Sequence, residues 1–177
     1  MIFKKAKIEG AYLIELTSIE DERGTFVRQF CKNEFKNIGI EFNICQCNFS
    51  TNKKRGTIRG MHYQKDPHPE KKIVSCTKGK IYDVILDLRK NSPTYLQWQG
   101  IEMRENDNCC IYIPPFVAHG FQTLEDNSTV FYQLGEFFYP QSYDGVRYDD
   151  PAFGIEWKDI VPAVISEKDQ NFSLYRG

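Results

Sequence analysis

GTIRGMHYQKDPHPEKKIVSC, residues 56–76, holds two of the chain's three histidines, His62 and His68. The stretch reads as two β-strands, GTIRGMHYQ and KKIVSC, with His68 in a loop between Pro67 and Pro69. A strand that buries one face keeps that face apolar, yet Arg59, His62 and Lys72 interrupt this pair. Two explanations are open at this point. Either the strands lie at a sheet edge with solvated side chains, or they line a pocket that performs chemistry.

The same strand pattern recurs outward in both directions. Short apolar or alternating runs include AYLIEL (11–16), GTFVRQF (24–30), FNICQCNFS (42–50), KIYDVILDL (80–88), QWQGIEM (97–103), CCIYIPP (109–115) and VFYQLGEFFY (130–139). Turn formers separate them at 21–24, 78–79, 91–93, 105–108 and 125–127. Many short strands at this spacing predict an all-β sandwich or barrel rather than an α/β fold. The best helix candidate is CKNEFKNIG (31–39), closed by Gly39. At 177 residues, with 41% hydrophobic and 14% aromatic content, the chain is expected to form one domain, 1–177, with a real core.

A net charge of −1, with both signs interspersed, gives no global pull toward nucleic acid or a membrane surface. MIFKKAKIEG at the start has no apolar run of signal-peptide length, and no stretch reaches the length of a membrane helix, so the expected location is cytoplasmic. The six cysteines, Cys31, Cys45, Cys47, Cys76, Cys109 and Cys110, contain no C-x-x-C and are expected to be mostly buried thiols.

Strand alternation sorts the polar residues by face. In GTIRGMHYQ it groups Ile58, Gly60, His62 and Gln64 on one face, and Arg59, Met61 and Tyr63 on the other. Lys72 aligns with Val74 and Cys76, Asp83 with Ile81 and Ile85, and Tyr132 with Val130 and Leu134. Each polar residue alone reads more readily as a satisfied core or surface group than as a catalyst. Together, on separate strands, a base, a cation and an acid point to a shared barrel mouth. A metal site from His62, His68 and His119 would want two histidines one residue apart, and here Tyr63 and Gln64 follow His62. No phosphate-cradling glycine loop, serine elbow or dinucleotide fingerprint is present. Neither a metal nor an organic cofactor is expected.

DERGTF (21–26), GTIRGMHYQ (56–64), KIVSCTKGKIYDVILDLRKNSPTYLQW (72–98), IPPFVAHGFQTL (113–124) and GVRYDDPAFGIEW (145–157) resemble the dTDP-4-dehydrorhamnose 3,5-epimerase family, in order and over nearly the whole chain. The resemblance implies a cupin-like jelly roll with a few short helices. It implies a homodimer with strands exchanged or paired across the interface, and no cofactor. The implied substrate is a nucleotide-diphosphate 4-keto-6-deoxy sugar, whose carbonyl acidifies the C3 and C5 protons. By the same resemblance His62 is the general base, Asp169 its orienting partner, Lys72 the group on the enolate oxygen and Tyr132 the general acid. Arg23 and Arg59 match residues that hold the diphosphate and sugar. Gln46, Asn48 and His119 match polar pocket positions, Asp83 a carboxylate near the lysine, and Phe26 and Arg147 further substrate-binding positions.

Two departures bear on specificity. Phe138 stands where many members carry a tyrosine beside the sugar, which leaves inversion at C3, C5 or both open. Arg28 stands where some members have a glutamate that addresses thymine, which leaves the nucleotide base open. Two other readings share the pocket: a sugar-nucleotide 3,4-ketoisomerase, and a non-catalytic sugar-nucleotide-binding jelly roll. A mere binder has no use for a matched base and acid.

Overall fold

The computed structural model describes residues 1–159 and 161–176. Two antiparallel sheets face one another, as the recurring short runs predict. The first has six strands in the order β1 (Ile2–Lys5), β2 (Tyr12–Glu15), β10 (Cys109–Ile113), β7 (Lys72–Lys78), β12 (Ser128–Leu134), β5 (Gln46–Asn52). The second has five, in the order β13 (Tyr143–Gly145), β6 (Ile58–Gln64), β11 (Val117–Thr123), β8 (Lys80–Asp87), β9 (Trp98–Arg104). Neighbours in each sheet are mostly distant in sequence, which is the crossing connectivity of a jelly roll.

Side-chain alternation fills the space between the sheets. Val74, Cys76, Ile111 and Val130 from the first sheet meet Ile81, Ile85, Met103, Val117 and Phe121 from the second. Each outer face is covered in part. Phe30, the short helix α1 (Lys32–Asn37) through Phe35, and Phe42 pack on Ile14, Ile73 and Tyr112. Val146, Phe153, Trp157 and Tyr175 pack on Met61, Tyr82, Val84 and Leu86. Helix α1 stops where expected, at Gly39 with φ +82°. A second short helix, α2 (Glu167–Gln170), has no periodic sequence signal and begins at Ser166, whose Oγ accepts the Asp169 amide at 3.1 Å.

One two-stranded element stands apart. β3 (Ser18–Asp21) and β4 (Gly24–Val27) pair only with each other and are exposed almost throughout. Ile19 is 66% and Phe26 71% exposed.

The expectation of mostly buried cysteines needs correction. Cys76 and Cys110 are buried, but Cys45 and Cys47 are exposed. They flank the start of β5, an edge strand whose outward residues nothing in the described chain covers.

Simple alternation also fails inside β6. The pairing with β11 runs His62↔His119 and then Arg59↔Phe121, so three steps on β6 oppose two on β11. One extra residue in a strand reverses the facing of the residues beyond it. Arg59 and His62 therefore share the pocket face, whereas alternation separates them. The crossing is close: a Cβ on Gly60 would sit 2.4 Å from the Gly120 Cα, and one on Gly120 would sit 2.9 Å from the Arg59 carbonyl oxygen. Glycine at both positions lets the two histidine-bearing strands meet here.

Candidate active site

At one end of the sandwich the sheets open into a cavity of about 270 Å³. Strand β5 contributes Asn48 and Ser50, β7 Lys72, and β12 Tyr132 and Leu134, all from the six-stranded sheet. The other sheet contributes Arg59 and His62 from β6, His119 from β11 and Tyr143 from β13. Glu70 and Phe138 close the rim. His62 and Tyr132 thus lie on opposite walls.

His62 Nε2 is 2.7 Å from Asp169 Oδ1, although 107 residues separate them. Asp169 is fixed by helix α2, and its Oδ2 also accepts the Gly60 amide at 3.1 Å. Burial would raise this carboxyl, but the bonds from His62, Gly60 and Ser166 outweigh it and hold it below its ordinary value. Ionised Asp169 can only accept, so the hydrogen sits on Nε2 and Nδ1 is left as a lone pair. Burial lowers the imidazole below its usual value, against the pull of Asp169. The ring is therefore neutral at neutral pH and able to take a proton.

Tyr132 is shifted the other way. Burial first, then the nearby Asp83 charge, raises its phenol far above normal, with Arg59 pulling against both. It keeps its proton over the working pH range, as a donor must. Lys72 Nζ lies 3.2 Å from the His62 carbonyl and 2.8 Å from Glu70 Oε1. In a second imidazole–carboxylate pair, His119 lines the cavity and its Nε2 lies 2.7 Å from Oδ2 of Asp83, buried behind it. A neutral base facing a protonated acid, with a cation between the walls, is equipped to remove a proton beside a carbonyl and return one from the opposite face.

Of the residues singled out in the sequence, His62, Lys72, Tyr132, Arg59, Asn48, His119 and Phe138 line this cavity, and Asp169 supports it from behind. Gln46 sits beside the rim, its Oε1 accepting the Phe138 amide at 3.3 Å. Asp83 is displaced from its expected place: it holds His119, and the carboxylate paired with Lys72 is Glu70. Arg23, Phe26, Arg28 and Arg147 are not in this cavity. Arg23 pairs with Asp21 on the free hairpin, and Phe26 and Arg28 line a separate hollow with Ile19 and Glu34. Arg147 pairs with Asp149 at 2.8 Å, near the C-terminal segment. His68 stacks on Tyr139 at 3.5 Å instead of joining the other histidines. Among the described residues, no cluster of three or more His, Cys, Asp or Glu could hold a metal ion. None of their helices is long and apolar enough to cross a membrane.

Sequence reasoning misses four lining residues, Ser50, Glu70, Leu134 and Tyr143, of which the two polar groups nearest the catalytic set are Glu70 and Tyr143. Glu70 lies two residues before Lys72, the spacing at which strand residues share a face, so its placement is legible in principle. Tyr143 sits on a three-residue strand with no pattern to expose it. Its ring centroid is 5.2 Å from that of His62, and Lys168 Nζ lies 3.7 Å from the same tyrosine centroid.

The family model described as dTDP-4-dehydrorhamnose 3,5-epimerase matches residues 5–176. The chain belongs to the dTDP-4-dehydrorhamnose 3,5-epimerase family. Members are isomerases. An enzyme of that name from Methanothermobacter thermautotrophicus is 38% identical over 98% of this chain and 94% of its own length. The crystal structure of the Bacillus anthracis epimerase with TDP and PPi bound superposes with a TM-score of 0.93 at 34% identity, covering 98% of this chain and 100% of that one. A 3'-monoepimerase from Streptomyces bikiniensis, in complex with dTDP-quinovose, gives 0.89 at 30% identity over 96% and 85%. Epimerases of both kinds, 3,5- and 3'-only, thus share this fold.

Proposed function

We propose that this protein epimerises a dTDP-linked 4-keto-6-deoxy sugar at C3, C5 or both. The observation that carries the reading is the neutral His62–Asp169 pair on one wall and protonated Tyr132 on the other. His62 Nδ1 removes the proton beside the 4-keto group, and the electron pair moves to the carbonyl oxygen. Lys72 stabilises the resulting enolate, an interaction stronger in the transition state than in the ground state. Tyr132 then delivers its proton to the same carbon from the opposite face. Arg59, which also donates to Asn52 at 2.7 Å, is suited to the diphosphate by its forked donors.

The test follows solvent deuterium into C3 and C5. His62→Asn is expected to stop both exchange and inversion. Tyr132→Phe is expected to stop inversion while leaving exchange, because His62 can return a deuteron to the face it took the proton from. Positioned acid–base groups contribute about a hundred- to ten-thousand-fold, so both losses should be large. Exchange at the parent rate in His62→Asn, or inversion at the parent rate in Tyr132→Phe, would remove those roles.

The protein is further proposed to act as a homodimer. The supporting observation is the apolar surface its own chain leaves bare: Ile19 and Phe26 on the hairpin, and Phe49 at 69% exposure beside Phe131 on the uncovered face of the six-stranded sheet. Isolated exposed apolar residues are ordinary, but this many aromatic and aliphatic side chains on two free β elements fit a protein interface.

A further inference from the structure

Among the described residues, Glu70 is the one carboxylate lining the cavity, and the proton transfers give it no task. It is not solvated: its side chain is 10% exposed, and Lys72 beside it is 8% exposed. The two are 2.8 Å apart. A buried ammonium without a counter-charge would be costly, so part of Glu70's role is to supply that counter-charge and hold Lys72 in place. The ion pair engages Glu70 Oε1, and a carboxylate has further lone pairs with which to accept. The Lys72 ammonium has three hydrogens, with the Glu70 carboxylate and the His62 carbonyl within reach of two. The pair therefore offers the cavity a donor and an acceptor side by side.

We propose that Glu70 is a specificity-determining residue: its carboxylate accepts a hydrogen bond from the sugar's C3 hydroxyl while Lys72 donates to the C4 oxygen. The inference rests on the epimerase reading. An α-hydroxy ketone presents a hydroxyl donor and a carbonyl acceptor on neighbouring carbons. A carboxylate next to an ammonium is the complementary arrangement. The same pairing persists through the reaction, because the enolate keeps its 3-hydroxyl hydrogen while negative charge grows on O4 beside Lys72. The substrate class is thereby narrowed to 4-keto sugars that retain a free 3-hydroxyl. Sugars that are 3-deoxy or 3-O-methylated leave a buried carboxylate oxygen with no donor, which a polar site rejects strongly.

The experiment compares dTDP-4-keto-6-deoxyglucose with its 3-deoxy analogue, which still has exchangeable protons beside the carbonyl. Deuterium wash-in gives kcat/KM for each sugar with the parent, Glu70→Gln and Glu70→Ala. The parent is expected to prefer the 3-hydroxy sugar by about a hundredfold. Glu70→Ala should lower that ratio by about tenfold or more, with Glu70→Gln, which keeps a neutral acceptor, in between. If the variants slow both sugars equally and the ratio stands, Glu70 only tethers Lys72 and the proposal is overturned. A parent that shows no preference overturns it too. If the parent exchanges neither sugar while folded, the epimerase reading itself falls, and this one with it.

Discussion

His62 has two opposing influences on it, and a single substitution separates them. Burial lowers the imidazole below the ordinary histidine value of about 6.5, and Asp169 raises it. The neutral ring is the active form, so kcat/KM should fall as pH drops through the folded pKa, on the acid side of the usual value. In Asp169→Asn the raising partner is gone, and that acid limb should move to still lower pH. The plateau should fall about a hundredfold or more, because the amide no longer holds the Nε2–H tautomer. A plateau loss with an unmoved limb would mean that Asp169 acts only through packing. Arg28 offers a second residue-scale test. It is 64% exposed and pairs with Glu34 at 3.1 Å, in a hollow apart from the catalytic cavity. If it helps choose the nucleotide base, Arg28→Glu should change the ranking of dTDP, UDP, CDP and GDP carriers. An unchanged ranking in that panel would leave it a surface arginine.

At the level of elements, one device holds the site in register and a second fixes a loop of the sandwich. The first is the crossing of β6 and β11. A methyl on Gly120 would lie 2.7 Å from Met61 Sδ and 2.9 Å from the Arg59 carbonyl. Gly120→Ala should therefore cost about 1–3 kcal/mol as the strands are forced apart. It should also reduce kcat, since His62 and His119 are paired across this point. Chemical unfolding beside single-turnover rates would measure both. The second device closes the 88–97 loop. Asp87, fully buried, accepts from Arg89, Ser92 and Thr94. Burial raises its carboxyl, but those donors win and bring it down to about 2. A carboxyl lowered in this way stabilises the fold fully above its unfolded value of about 3.8, and the contribution disappears as pH falls toward 2. Asp87→Asn should cost about 2 kcal/mol at neutral pH, with the difference shrinking in acid. The strands themselves are legible in the sequence because alternation marks each one. The extra residue in β6 is not: a bulge is set by pairing with a partner strand distant in the chain, and GTIRGMHYQ alternates no differently for containing it. Asp169 is beyond pattern reading for the same reason. Its helix is four residues long and gains its place by bonding to His62 and Gly60.

The whole molecule raises the question of why Arg23 and Phe26, which resemble substrate-binding residues, stand on a hairpin outside the cavity of their own chain. Their residue types can be read from the sequence, but not their address, because periodicity sorts the two faces of a strand and does not say where a free hairpin lies relative to a cavity. The bare apolar side chains on the hairpin and on the outer face of β5 and β12 fit a dimer in which each hairpin reaches the partner's cavity. A mixing experiment tests this. His62→Asn and Phe26→Ala chains should each be nearly inactive alone. If the hairpin serves the partner's site, a mixed dimer gathers both lesions in one site and leaves the other intact. Random reassociation of equal amounts should then restore about a quarter of the parent activity, since half of the dimers are mixed and each has one good site. If Phe26 acts within its own chain, every site in the mixture carries a lesion and the activity stays low. Ile19→Asp supplies the physical control. A charge at that exposed apolar position should shift light scattering from dimer toward monomer, and mixed-chain recovery should vanish with the interface. A chain bearing Ile19→Asp that remains a fully active dimer would place the interface on another surface.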